Sequence, residues 1–97
     1  GGMLTTVGDW LKWNAMLDSR SMGAPLVEAL ETTGVLNDGR KISYALGVVV
    51  TNENGIRKVA HGGSTAGYQT FLSRYPDLKL SIAVMCNGAS RSPAALE

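Results

Sequence analysis

An α+β fold is predicted for this chain, with two N-terminal helices followed by a four-stranded antiparallel meander. Three observations predict it. Apolar residues recur at helical spacing up to about residue 32, the spacing then changes to strict alternation, and turn dipeptides punctuate the alternating half. At 97 residues the chain is one small domain at most.

The first helix is expected over residues 5–18. Thr6, with Asp9 three positions later, fits a capping box, in which side chains satisfy the orphan N–H groups of the first turn. Trp10, Trp13 and Leu17 then fall on one face with Leu11 beside it, which reads as core packing. Residues 19–24 form a loop. Pro25 suits the first turn of a second, short helix over 25–32, and Gly34 is a plausible stop. Asn37-Asp38-Gly39 marks a turn.

Ile42, Tyr44, Leu46, Val48 and Val50 alternate with Ser43, Ala45, Gly47 and Val49, which predicts the first strand. Asn54-Gly55 is a strong hairpin signal, because both residues tolerate positive φ. The second strand runs from Ile56 toward His61, the third from Tyr68 to Tyr75, and Pro76-Asp77 opens the next turn. The fourth, Leu80 to Asn87, sets Leu80, Ile82 and Val84 on one face and Ala83 and Met85 on the other. Apolar residues on both faces imply cover on both sides. One pair of helices cannot supply two covering layers, and Ser92-Pro93-Ala94-Ala95 reads like the start of another helix. Both points suggest that residues 1–95 are part of a larger domain, whose missing N-terminal part is the expected partner. Leu96-Glu97 resembles the junction to a purification tag. The uncovered sheet would favour self-association.

Composition excludes several classes. Nine basic and eight acidic residues are scattered, with no run longer than Arg40-Lys41 or Arg57-Lys58, so nothing predicts binding to nucleic acid or an anionic membrane. No apolar run approaches the roughly 20 residues that span a bilayer. With one His and one Cys there is no metal-ligand spacing, and no cofactor is expected. Gly62-Gly63-Ser64 is not followed by Gly-Lys-Ser/Thr, so a phosphate loop fails. Gly62-x-Ser64-x-Ala66 comes close to a nucleophile elbow, but that elbow needs a helix after the turn, and a strand follows here.

The stretch His61-Gly62-Gly63-Ser64-Thr65-Ala66-Gly67-Tyr68 remains. Paired glycines let a ligand approach the backbone, whose N–H groups can serve as oxyanion donors, and an adjacent imidazole can steer or exchange protons with a substrate. From spacing alone, a glycine-rich hairpin loop carrying a solvated histidine is the simpler reading.

The same stretch, followed by Phe71, Pro76-Asp77, the strand Leu80 to Met85 and Asn87, resembles the C-terminal region of penicillin-recognising serine hydrolases. These are the class C β-lactamases, D-alanyl-D-alanine carboxypeptidases and related esterases. Gly1-Gly2-Met3-Leu4-Thr5-Thr6 with Asp9 and Trp13, and Tyr44-Ala45-Leu46-Gly47, resemble that family upstream, so the likeness covers nearly the whole chain. It implies a β-lactamase-like α/β sandwich. It also implies three motifs: Ser-x-x-Lys with the nucleophile, often Tyr-x-Asn for proton transfer, and Lys-Thr-Gly or His-x-Gly facing the substrate.

Only the third motif has a match, at His61-Gly62-Gly63. By resemblance His61 orients substrate or helps the proton relay, Ser64 N–H completes the oxyanion hole, and Gly62, Gly63 and Thr65 line the substrate. The positions three before Lys12, Lys41, Lys58 and Lys79 hold Asp9, Asp38, Gly55 and Pro76, so Ser-x-x-Lys and its nucleophile are absent from these residues. None of Tyr44, Tyr68 and Tyr75 has Asn two residues later. The chain is therefore expected to be inert alone, a piece of an enzyme acting on a small-molecule or peptide substrate. Most members of the family work outside the cytoplasmic membrane, as periplasmic, secreted or membrane-anchored proteins. In place of the family's Lys charge and Thr or Ser hydroxyl stand His61, a side chain type mostly neutral near pH 7, and Gly62. Both weaken a carboxylate grip and favour an esterase, amidase or peptidase over a dedicated β-lactamase. The alternative is a non-catalytic α+β binding or structural module.

Overall fold

The computed structural model describes residues 1–88, 90 and 92–96. Helix α1 spans Val7–Ser19 and α2 spans Ala24–Glu31. Strands β1 (Val49–Glu53), β2 (Ile56–Thr65), β3 (Tyr68–Tyr75) and β4 (Leu80–Asn87) follow, each antiparallel to the next, in the spatial order β1-β2-β3-β4. This is the expected α+β architecture. The expected junction at 96–97 includes Glu97, which lies outside the described residues. No described helix is long and apolar enough to cross a membrane.

The α1 cap forms at Thr6, whose Oγ1 accepts from Asp9 N–H at 3.1 Å. The buried face of α1 includes Leu17, as expected, but is otherwise rotated from the expected one. Asn14 and Leu17 are buried, whereas Trp13 is 50% exposed and Leu11 40%. The packing stripe therefore runs through Asn14, a polar residue that no apolar pattern would select. Its Nδ2 donates to Ser73 O of β3 at 3.3 Å, which satisfies the amide and ties helix to sheet.

Helix α2 ends at Thr32, whose Oγ1 donates back to Glu28 O at 2.6 Å. Gly34 is not its stop. It packs against the segment beyond the next turn: Gly34 N–H donates to Tyr44 O at 2.9 Å, Gly34 O accepts from Ile42 N–H at 3.0 Å, and a Cβ there would crowd the Ile42 side chain at 3.2 Å. In the turn that follows, Asp38 accepts from the Arg40 backbone N–H at 3.0 Å and from Arg40 Nε at 2.7 Å. These bonds hold the exposed Asp38 carboxyl below its ordinary pKa.

Residues 42–50 are not one strand. The chain turns at Gly47, where φ is +81°, Ala45 N–H donates to Val48 O, and Tyr44 bridges back to Val49. Strand β1 begins only at Val49. The Asn54-Gly55 hairpin forms as expected, with φ of +53° and +84°. Strands β3 and β4 have the expected bounds, but β2 continues past His61 to Thr65.

Among the described residues the buried apolar core is thin: Leu17, Val27, Val59 and Ala60. Larger apolar groups such as Met3, Leu4, Met22 and Leu46 are mostly exposed. A charged cluster lies between the sheet and both helices. Arg74 of β3, 3% exposed, pairs with Asp18 of α1 (Nη1 to Oδ1, 2.5 Å) and with Glu31 of α2. Glu31 in turn pairs with Arg57 of β2 (Oε2 to Nη1, 2.8 Å).

Candidate active site

The five sequence-predicted site residues, His61, Gly62, Gly63, Ser64 and Thr65, form the second half of β2 and are all exposed. They lie on a rigid ladder instead of a loop. Each pairs with β3 in unbroken register: His61 with Leu72, Gly62 with Phe71, Gly63 with Thr70, Ser64 with Gln69, and Thr65 with Tyr68. At Gly63 the fit is steric: a Cβ there would come within 2.7 Å of Thr70 Oγ1, whereas one on Gly62 would make an ordinary 3.4 Å contact with Phe71 Cδ2.

Among the described residues, no strand pairs with the other side of this segment. β1 pairs with β2 only as far as Ala60, opposite Val49. The direction of each backbone group follows from two hydrogen-bond patterns. Val50 N–H donates to Ser43 O at 2.8 Å, away from β2. Antiparallel alternation then points the N–H and C=O of Val49 toward Ala60, and those of Ala60 toward Val49. Continuing the alternation, His61, Gly63 and Thr65 bond toward β3, while Gly62 and Ser64 turn theirs to the open edge. The hairpin at Ala66-Gly67 requires the same parity, because Thr65 and Tyr68 form its closing pair. Two backbone N–H groups, of Gly62 and Ser64, are therefore available to a ligand lying along the edge.

His61 frames the start of this edge. Its Nδ1 lies 2.5 Å from Gly62 O, and its Nε2 lies 3.0 Å from Tyr44 Oη. The two rings meet edge to face, with centroids 5.8 Å apart and planes at 69°. Behind His61 a cavity of about 190 Å³ opens between the sheet, α1 and the turn at 46–48. Trp13, Leu17, Leu46 and Leu72 give it apolar walls, and the Arg74–Glu31 pair lies at its lining. Among the described residues, no group of three His, Cys, Asp or Glu side chains converges as a metal site would need.

Two features were not legible in the sequence. Tyr44 is 17 positions from His61, and no spacing rule links them. Arg74 is 56 positions from Asp18. The first depends on the backbone reversal at Gly47, which returns residue 44 to the end of β1.

A family model described as Beta-lactamase matches residues 1–97. Among solved structures, the chain is similar to an octameric penicillin-binding protein homologue from Pyrococcus abyssi, with a TM-score of 0.80 and 24% identity. The match covers 93% of this chain and 22% of that one, so the chain spans less than a quarter of that protein's length. At this identity the likeness shows the fold. No curated protein matches.

Proposed function

The chain belongs to the β-lactamase family, and we propose that it is the sheet-bearing C-terminal part of a serine hydrolase of that family, inert by itself. In the intact enzyme a Ser of a Ser-x-x-Lys motif, outside these 97 residues, attacks the carbonyl carbon of an ester or amide. The tetrahedral intermediate collapses with loss of the alcohol or amine, and water then hydrolyses the acyl-enzyme. Ser64 N–H donates to the oxyanion of both tetrahedral intermediates, together with the N–H of the nucleophile. His61 orients the substrate and exchanges protons at the same edge, while Gly62, Gly63 and Thr65 let the substrate lie close to the strand. Since neither His61 nor Gly62 offers a fixed charge or a hydroxyl, esters, amides or peptides are favoured over β-lactams as substrates.

The observation that carries this reading is the unpaired half of β2, where Ser64 N–H points off the same sheet edge as Gly62 O, the acceptor that His61 Nδ1 contacts. The thin core supports a further layer of chain over the exposed apolar surface, contributed by the missing N-terminal part.

The test is Ser64→Pro in a longer polypeptide that carries Ser-x-x-Lys upstream of Gly1. Proline is tolerated on a strand where the N–H faces away from the ladder, so the fold should survive. Loss of the donor should lower kcat by about 10²–10³ with little change in KM. An unchanged kcat would remove Ser64 from the oxyanion hole, and a longer polypeptide with no acylation at all would favour the non-catalytic module.

A further inference from the structure

We propose that Tyr44 is the positioning residue for His61, holding the neutral imidazole in the tautomer with the proton on Nδ1. Its consequence for catalysis rests on the function proposed above. The tautomer itself does not.

The argument starts from what each partner can do. Gly62 O can only accept, so the 2.5 Å contact with Nδ1 is a hydrogen bond only if Nδ1 carries the proton. Nε2 of the neutral ring then has a lone pair, and Tyr44 Oη, 3.0 Å away, is the donor that fills it. Both contacts are satisfied together in this tautomer alone. With the proton on Nε2, the unprotonated Nδ1 would face a carbonyl oxygen, lone pair to lone pair.

Tyr44 is well placed to enforce this. Its carbonyl is held by Gly34 N–H at 2.9 Å, and its backbone bridges Val49, the partner of Ala60, which precedes His61. The bridge to Val49 thus brings the phenol against the imidazole, edge to face. The carboxylates of the nearby charged cluster are engaged with Arg74 and Arg57. When His61 is protonated, both ring nitrogens donate. Tyr44 Oη then accepts, and its own proton is free for a group bound at the open edge.

The experiment is long-range ¹H–¹⁵N correlation of the imidazole in this chain, at a pH where the ring is neutral. His61 is the single histidine, so its ring signals need no assignment. The wild type should show a protonated-type Nδ1 and an unprotonated-type Nε2. Tyr44→Phe should move the two nitrogen shifts toward each other as the tautomers mix, while the amide shifts of β2 and β3 stay in place. Tyr68→Phe, which removes an exposed hydroxyl at the far end of the hairpin, should leave the ring unchanged. A wild-type ring protonated on Nε2, or one indifferent to Tyr44→Phe, would overturn the proposal. The readout needs no catalysis, so an intact protein that fails to acylate would refute the proposed function and leave this inference standing.

Discussion

Glu31→Ala probes the contact that locks the sheet to both helices. Glu31 is 8% exposed and lies between two guanidinium groups, those of Arg74 and Arg57. Removing its carboxylate affects them unequally. Arg57, with its side chain 38% exposed, can turn to water. Arg74, 3% exposed, cannot, and keeps only Asp18. Leaving a buried charge wholly unpaired costs about 3–5 kcal/mol, and the remaining Asp18 places this case near the lower end, about 3 kcal/mol. A domain of this length has a total stability of roughly 5–15 kcal/mol, so the loss is a large fraction of it. Urea unfolding should show a lower midpoint at unchanged m, and Tm should fall by roughly 12–24 °C at about 4–8 °C per kcal/mol. Glu31→Leu combined with Arg74→Leu should cost less than Glu31→Ala alone, because no unpaired buried cation is left behind. A loss below about 1 kcal/mol for Glu31→Ala would mean that the cluster is solvated, refuting its role as the helix–sheet lock.

Two further outcomes are expected. His61→Ala should change stability by no more than about 1 kcal/mol, because the residue is exposed and gives up only surface hydrogen bonds and one ring-edge contact with Tyr44. A large drop in Tm would instead make the imidazole structural. In sedimentation velocity the chain should self-associate as its concentration rises, since Leu4 (96% exposed), Met3 (74%) and Leu46 (66%) leave apolar surface in water. A monomer at all concentrations with a sharp melt would argue against an uncovered face.

The sequence made much of the fold legible where local chemistry decides it. Thr6 caps α1, Asn54-Gly55 closes a hairpin, and β3 and β4 have the bounds that their alternation suggested. It misled where a period-two pattern crossed a turn. Residues 42–50 alternate through Gly47, yet the backbone reverses there, because φ of +81° takes the chain out of the extended region. Gly62-Gly63 read as a loop because glycine is poor in strands. Here both glycines pair with β3, Gly62 with Phe71 and Gly63 with Thr70, and the Thr70 side chain takes the space of a Cβ on Gly63, so the strand continues. Tertiary pairing hid the rest. Asn14 is buried because a carbonyl of β3 awaits it, and Tyr44 reaches His61 through its bridge to Val49, neither of which leaves a local trace. The His61–Thr65 segment was legible as a candidate site from its glycines and from family resemblance. The outward direction of Ser64 N–H required the register.

The central claim is that these 97 residues carry an oxyanion-binding edge but no nucleophile. Intact-mass analysis after incubation with a fluorophosphonate probe, and separately with a penicillin, tests it most directly. The account predicts no mass shift for this chain with either reagent, and a single adduct on a longer polypeptide, at a Ser outside these residues. A stoichiometric adduct on the chain itself, abolished by replacing one of its own serines, would place a nucleophile within it and contradict the account.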